Sequence, residues 1–208
     1  MGQLINLKDL LQHEIDDLYS AEEQIIDALP KMVEKASAAP LKKALNEHLQ
    51  VTKGQKQRLE KVKQLLEKTA EGEPSKPGLL ERIFGGSKCK GTEGLIKEGE
   101  KLMSESMEAP VRDAAIIAAA QKIEHYEISG YGTARAYAMQ LGLTEIEELL
   151  TQTLNEEYQA DDDLTALALF DVNLRGTIKI WVCESVNLRS CRILAFQTSV
   201  QLSVSPGP

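Results

Sequence analysis

An all-α fold is what the sequence predicts, and three observations predict it. Apolar residues recur at spacings of three and four along four long stretches. The 208 residues are 42% hydrophobic but only 4% aromatic, a core of Ala, Leu and Ile that suits closely packed helices. The densest run of glycine and proline, residues 70–90, falls between stretches and not within one.

The first stripe, Leu7, Leu11, Ile15, Leu18, Glu22, Ile25, Leu29 and Val33, predicts a helix over 7–36, with Pro30 expected to bend it or mark a local irregularity. Ser37 to Pro40 reads as a tight connection, proline being tolerated in a first helical turn where its missing N–H costs little. The second stripe, Leu41, Leu45, His48, Thr52, Gln55, Leu59, Val62 and Leu66, predicts a helix over 40–69. Gly72, Pro74, Pro77, Gly78, Gly85 and Gly86 then mark a long connection that a short helix near 92–106 interrupts. Pro110 opens a third long helix to about 141. Gly142 stops it, and Thr144 with Glu147 forms a capping-box pattern opening a fourth helix to about 173. Two hairpins joined by one long crossover, from the second long helix to the third, carrying a short helix, is the connectivity of a ferritin-like four-helix bundle.

The acids are the anomaly. Glu22 interrupts the first stripe. The third reads Ile117, Ala120, Glu124, Glu127, Tyr131, Ala134, Ala138, Leu141, and the fourth Ile146, Leu150, Leu154, Glu157, Asp161, Leu164, Ala168. With the hairpin turns centred near residues 38 and 142, Glu22 lies 16 residues from its turn, and Glu127 and Glu157 lie 15 from theirs. Independent hairpins thus bring acids to matching depths. An unpaired carboxylate taken out of water costs several kcal/mol, so five in one core require a cation. Glu124 with Glu127 and Glu157 with Asp161 can each face one ion from a single helix side, and His125 is a candidate nitrogen ligand if the interior stripe is broad. The competing reading makes Glu156, Glu157 and Asp161 to Asp163 a solvated face and gives His125 a structural hydrogen bond. On the second helix no acid stands at the expected depth, near residue 54. Gln55 could supply a hydrogen bond there, while His48, two turns away, reads as a histidine bonded within the bundle. Tyr19, Tyr126 and Tyr131 read as core packing with satisfied hydroxyls.

Other classes fit poorly. Residues 174–208 hold one acid and four bases, leaving 31 acids against 20 bases in the first 173, so the body repels phosphate backbones and no nucleic-acid partner is expected. Neither a signal peptide nor a membrane span is visible, which makes the cytoplasm the expected location. Cys89, Cys183 and Cys191 lack a Cys-x-x-Cys pairing and read as ordinary thiols, Cys89 in a loop. No glycine-rich phosphate loop or activated nucleophile stands out.

The segments DLYSAEEQ (17–24), HLQVTKGQ (48–55), VRDAAIIAAAQKIEHYEISGYG (111–132) and LNEEYQADDDLTAL (154–167) resemble those of the bacterial YciE/YciF-like ferritin-like proteins, over about residues 5–173. The resemblance implies a helical bundle with a ferritin-like dimetal site, homodimerisation, a cytoplasmic location and an association with stress responses. Two departures stand out. Relatives resemble HLEET where this chain has Gln50 and Val51, which predicts a centre short of a carboxylate if either acid is a ligand. Beyond about residue 174 the chain continues through TIKIWVCESV and RILAFQTSVQLSV with no capping or charge logic shared with the body. Residues 1–173 are therefore expected to form the bundle and 174–208 a poorly ordered or loosely packed tail. That tail reads as an altered reading frame, the alternative being an interaction segment anchored by Trp181. Alternation over 177–182 suggests a strand without partners.

The leading expectation is a dimeric dimetal-carboxylate protein in which Glu22, Glu124, Glu127, Glu157 and Asp161, with His125, hold one or two iron or manganese ions for chemistry on a small oxidant, oxygen or peroxide. The alternative is a non-catalytic helical stress protein with a degenerate site, acting through protein association.

Overall fold

The computed structural model describes residues 4–69 and 88–177, and every regular element in them is helical. Helices α1 (Leu7–Lys35), α2 (Ala39–Lys68), α3 (Lys90–Ser104), α4 (Ala109–Gln140) and α5 (Thr144–Leu167) are followed by a π-helical turn, Ala168–Val172, and a last short helix α6 (Asn173–Thr177). Of the expected tail, residues 174–177 lie in α6, and the remainder, with the expected strand beyond Thr177, lies outside the described residues. No helix among the described residues is long and apolar enough to cross a membrane.

Local chemistry explains the ends. The Asn6 side chain accepts from Asp9 N–H and caps α1, and α1 continues through exposed Pro30 without a break. Proline occupies the first turn of both α2 and α4. Gly142 adopts φ 68°, and Leu143 N–H donates back to Ala138 O at 3.0 Å, the closure of a Schellman turn that only a residue tolerant of positive φ completes cheaply. This turn corrects the expected capping box. It places Leu143 at the N-cap with no side-chain cap, and Thr144 already lies inside the helix.

The helix directions follow from specific pairs. Lys63 meets Asp16 at 2.9 Å and Tyr19 donates to Glu60, so α2 runs back along α1. Tyr126 donates to Asp17 at 2.8 Å, while at the other end Asp113 accepts from the N–H groups of Ser37 (2.6 Å) and Ala38 (2.8 Å), so α4 also opposes α1. Gln55 meets Glu157 and Arg58 clamps Glu156, setting α5 antiparallel to α2. Hence α2 and α4 run the same way. Helix α3 packs on α1 and α4. Cys89 is its N-cap residue and fully buried, not the loop thiol expected: its Sγ lies 3.0 Å from Asp17 Oδ2 and 3.1 Å from the Tyr126 hydroxyl.

The apolar core is split. One cluster, around Ile25, Leu29, Leu41, Leu45, Ile116 and Leu164, fills the end at the α1–α2 connection. The other, around Leu11, Ile15, Leu59, Val62, Ala134 and Leu150, fills the end at the α4–α5 connection. The acids lie between them.

Candidate metal centre

The stripe of each long helix carries its polar residues into this middle layer, because a residue flanked at three and four positions by buried Leu or Ile has no other direction to point. Glu22, Thr52, Gln55, Glu124, Glu127, Thr153 and Glu157 are all buried there. Helices α1 and α4 approach closely at Gly130, where a Cβ would stand 2.8 Å from Leu18 Cδ2. One residue on, the Tyr131 hydroxyl donates to Glu22 Oε1.

Two triads emerge. The ligand atoms of Glu22, Glu127 and Glu157 all lie within 4.8 Å of one another, and so do those of His48, Glu124 and Glu157. Glu157 belongs to both. Its Oε1 accepts from Gln55 Nε2 at 2.6 Å, which orients the carboxylate and leaves Oε2 without a partner. One turn away, Arg58 holds Glu156 through two bonds of 2.9 and 3.0 Å and also donates to Thr153, tying α2 to α5 beside the shared glutamate.

The electrostatics are those of anions deprived of counter-charge. Burial pushes Glu22 well above the carboxylate range, and the neighbouring Glu157 raises it further against the Tyr131 hydrogen bond. Burial and then the charges of Glu157, Glu22 and Glu124 do the same to Glu127, and burial followed by Glu124 to Glu157. Glu124 rises to about 8, chiefly by burial. His48 falls to about 4 by burial, so its imidazole is neutral near pH 7. Its Nε2 lies 3.3 Å from Glu124 Oε1 yet makes no hydrogen bond of acceptable geometry. Among the described residues, the buried side-chain atoms without a hydrogen-bond partner are Glu22 Oε2, His48 Nε2, Glu124 Oε2, Glu127 Oε1 and Glu157 Oε2, and every one belongs to a triad.

Of the residues singled out in the sequence, Glu22, Glu124, Glu127 and Glu157 converge, whereas Asp161 and His125 stand apart. One residue advances a helix by about 100°, so His125, next to inward-facing Glu124, points out; its side chain is 66% exposed and its Nε2 lies 3.4 Å from Asp161 Oδ1. Asp161, four residues from Glu157, overshoots a full turn and accepts from Gln121 at the α4–α5 edge. His48 is the residue misjudged: it belongs to a triad and is not bonded within the bundle. A search at a single depth missed it, because the cluster spans two levels along the helix axes. The shared face of His48 and Gln55, seven residues apart, was the available signal. Gln50 and Val51 are both exposed, and Val51 lines one groove with His48 and Glu124.

The profile of a domain of unknown function, DUF892, matches residues 6–175. The chain belongs to the DUF892 family. Protein YciF of Escherichia coli strain K12 is 39% identical to it over 173 residues, 83% of this chain and 96% of YciF. The crystal structure of the E. coli stress protein YciF aligns with a TM-score of 0.70 at 38% identity, covering 82% of this chain and 99% of that one. YcfI from Rhodopseudomonas palustris gives 0.69 at 41% identity, covering 80% and 98%. This DUF892 chain therefore shares its helical fold with solved relatives, and the resemblance read from its segments falls within the matched residues.

Proposed function

We propose that the protein is a ferritin-like dimetal-carboxylate protein: a four-helix bundle with a long crossover whose two triads would each hold a divalent cation, iron or manganese, with Glu157 common to both. The observation that carries this reading is that all the orphaned buried polar atoms among the described residues converge on the two triads. Charge supports it. Four buried carboxylates and a neutral imidazole present four negative charges, which two divalent ions balance. So does donor chemistry, since oxygen ligands with one nitrogen suit manganese and ferrous iron better than a thiolate-seeking metal.

Within this reading Glu22 and Glu127 are terminal ligands at one position, His48 and Glu124 at the other. Tyr131 and Gln55 fix the orientation of Glu22 and Glu157 by their hydrogen bonds. The bound ions would supply redox chemistry toward oxygen or peroxide. The flanking apolar clusters close the two ends of the layer to bulk water, strengthening each charge interaction inside it. A role in stress, the word attached to the E. coli relative, fits peroxide or iron handling.

Elemental analysis after loading metal-free protein with Mn(II) tests this. About two ions per chain are expected, falling to one or fewer in Glu22→Ala and to none in Glu157→Ala. A wild-type protein that binds no metal while fully helical would sink the reading and leave an association role in its place.

A further inference from the structure

A groove of about 220 Å³ opens between α2 and α5, and its floor includes His48 and Glu124 but neither Glu22 nor Glu127. One triad therefore borders an opening on its own side, and the other lies behind it. Small side chains make the gap: Ala44 and Ala160 line it, with Val51 at 38% exposure near the surface. Ala160 stands three residues after Glu157, where the Glu-x-x-His pattern of dimetal bundles would put a ligand, and its methyl leaves that space open. The walls also carry Glu47, Glu156 and Asp163. Glu156 is committed to Arg58 and Glu47 lies 3.4 Å from Lys43, whereas Asp163, exposed and accepting only from Gln159, pairs with no base among the described residues. At the end of this path Glu124, only 3% exposed, presents Oε2 without a partner.

We infer that the α2–α5 groove is the entry port through which a divalent cation reaches the His48–Glu124 position, drawn in by Asp163 and Glu47 and passed inward by the shared Glu157. The inference rests on the dimetal reading. An acid at the mouth attracts a divalent ion without binding it, because an exposed carboxylate in water gains too little to hold one. The buried triad, desolvated and unpartnered, holds it. Glu157 alone touches both positions, so the inner one fills after the outer.

Stopped-flow mixing of metal-free protein with Co(II), followed by the visible absorption of the bound ion, reads rate and final stoichiometry separately. Ala160→Trp, which fills the groove, is expected to slow loading at least about tenfold with the final stoichiometry unchanged. Asp163→Asn with Glu47→Gln is expected to slow it about two- to fourfold at low salt, the difference vanishing near 0.5 M salt. Val51→Glu, adding a charge at the mouth, is expected to speed it by a similar factor. Should Ala160→Trp lose helicity, the surface variants decide alone. Wild-type rates in all helical variants overturn the port and leave the dimetal reading standing; no Co(II) bound by wild type overturns both.

Discussion

The apolar ends and the polar middle of the molecule obey opposite rules. At the ends, Leu11, Ile15 and Leu150 are essentially unexposed and packed on their own kind, each such side chain contributing about 1.5–3 kcal/mol by leaving water. In the middle, Glu22, Glu127 and Glu157 are as deeply buried but lack partners for one oxygen apiece, so without a cation the layer costs stability. Depth alone says nothing about the sign of a residue's contribution. The ends hold the fold, and the middle is tolerated because they do.

Truncation in an end layer should have the largest effect: Leu150→Ala is expected to lower unfolding free energy by about 2–5 kcal/mol in urea titrations, with or without metal. The same titration in chelator should show the reverse for the middle. Glu127→Leu, close in volume, is expected to stabilise metal-free protein by about 1–4 kcal/mol while lowering its metal content. A destabilisation there would erase the contrast.

The pH dependence is of comparable size. Glu124 in the folded protein titrates near 8 against an ordinary value of 4.5, so between these values the native state holds more protons than the unfolded one. Metal-free protein should therefore keep this stabilisation fully below about pH 4.5 and lose it as pH rises through about 8, at about 1.4 kcal/mol per pH unit for a single proton. Bound cations hold the carboxylates ionised, and with metal the trend should flatten or invert. Unfolding midpoints at pH 5, 6.5 and 8, with and without Mn(II), check both signs. The smallest effect belongs to the apolar end at the α1–α2 connection, where Asp113 accepts from two backbone N–H groups: Asp113→Asn is expected to cost about 1–2 kcal/mol and leave metal content unchanged.

Much of this was legible before any coordinates. The expected starts of α1, α2 and α4 lie within about a residue of those observed, since the 3.6-residue stripe and the prolines and glycines at its ends are local signals. The inward direction of Glu22, Glu124, Glu127 and Glu157 was legible for the same reason. Most of the misses come from distance along the chain. His48, Asp113 and Cys89 have roles set by partners at least 37 residues away, on other elements. The Thr144 capping box failed because a backbone turn closed at Gly142 had already settled where α5 begins.

By itself the sequence determined which stretches are helical and that Glu22, Glu124, Glu127 and Glu157 turn inward, because periodicity is written residue by residue and buried direction follows from it. Only the tertiary structure decided which of those acids meet, that a histidine from α2 joins them, and that Asp161 with His125 closes a surface pair instead. The reason is geometric: a few tens of degrees of rotation and one helical turn of offset separate a ligand from a bystander, and packing between helices sets both.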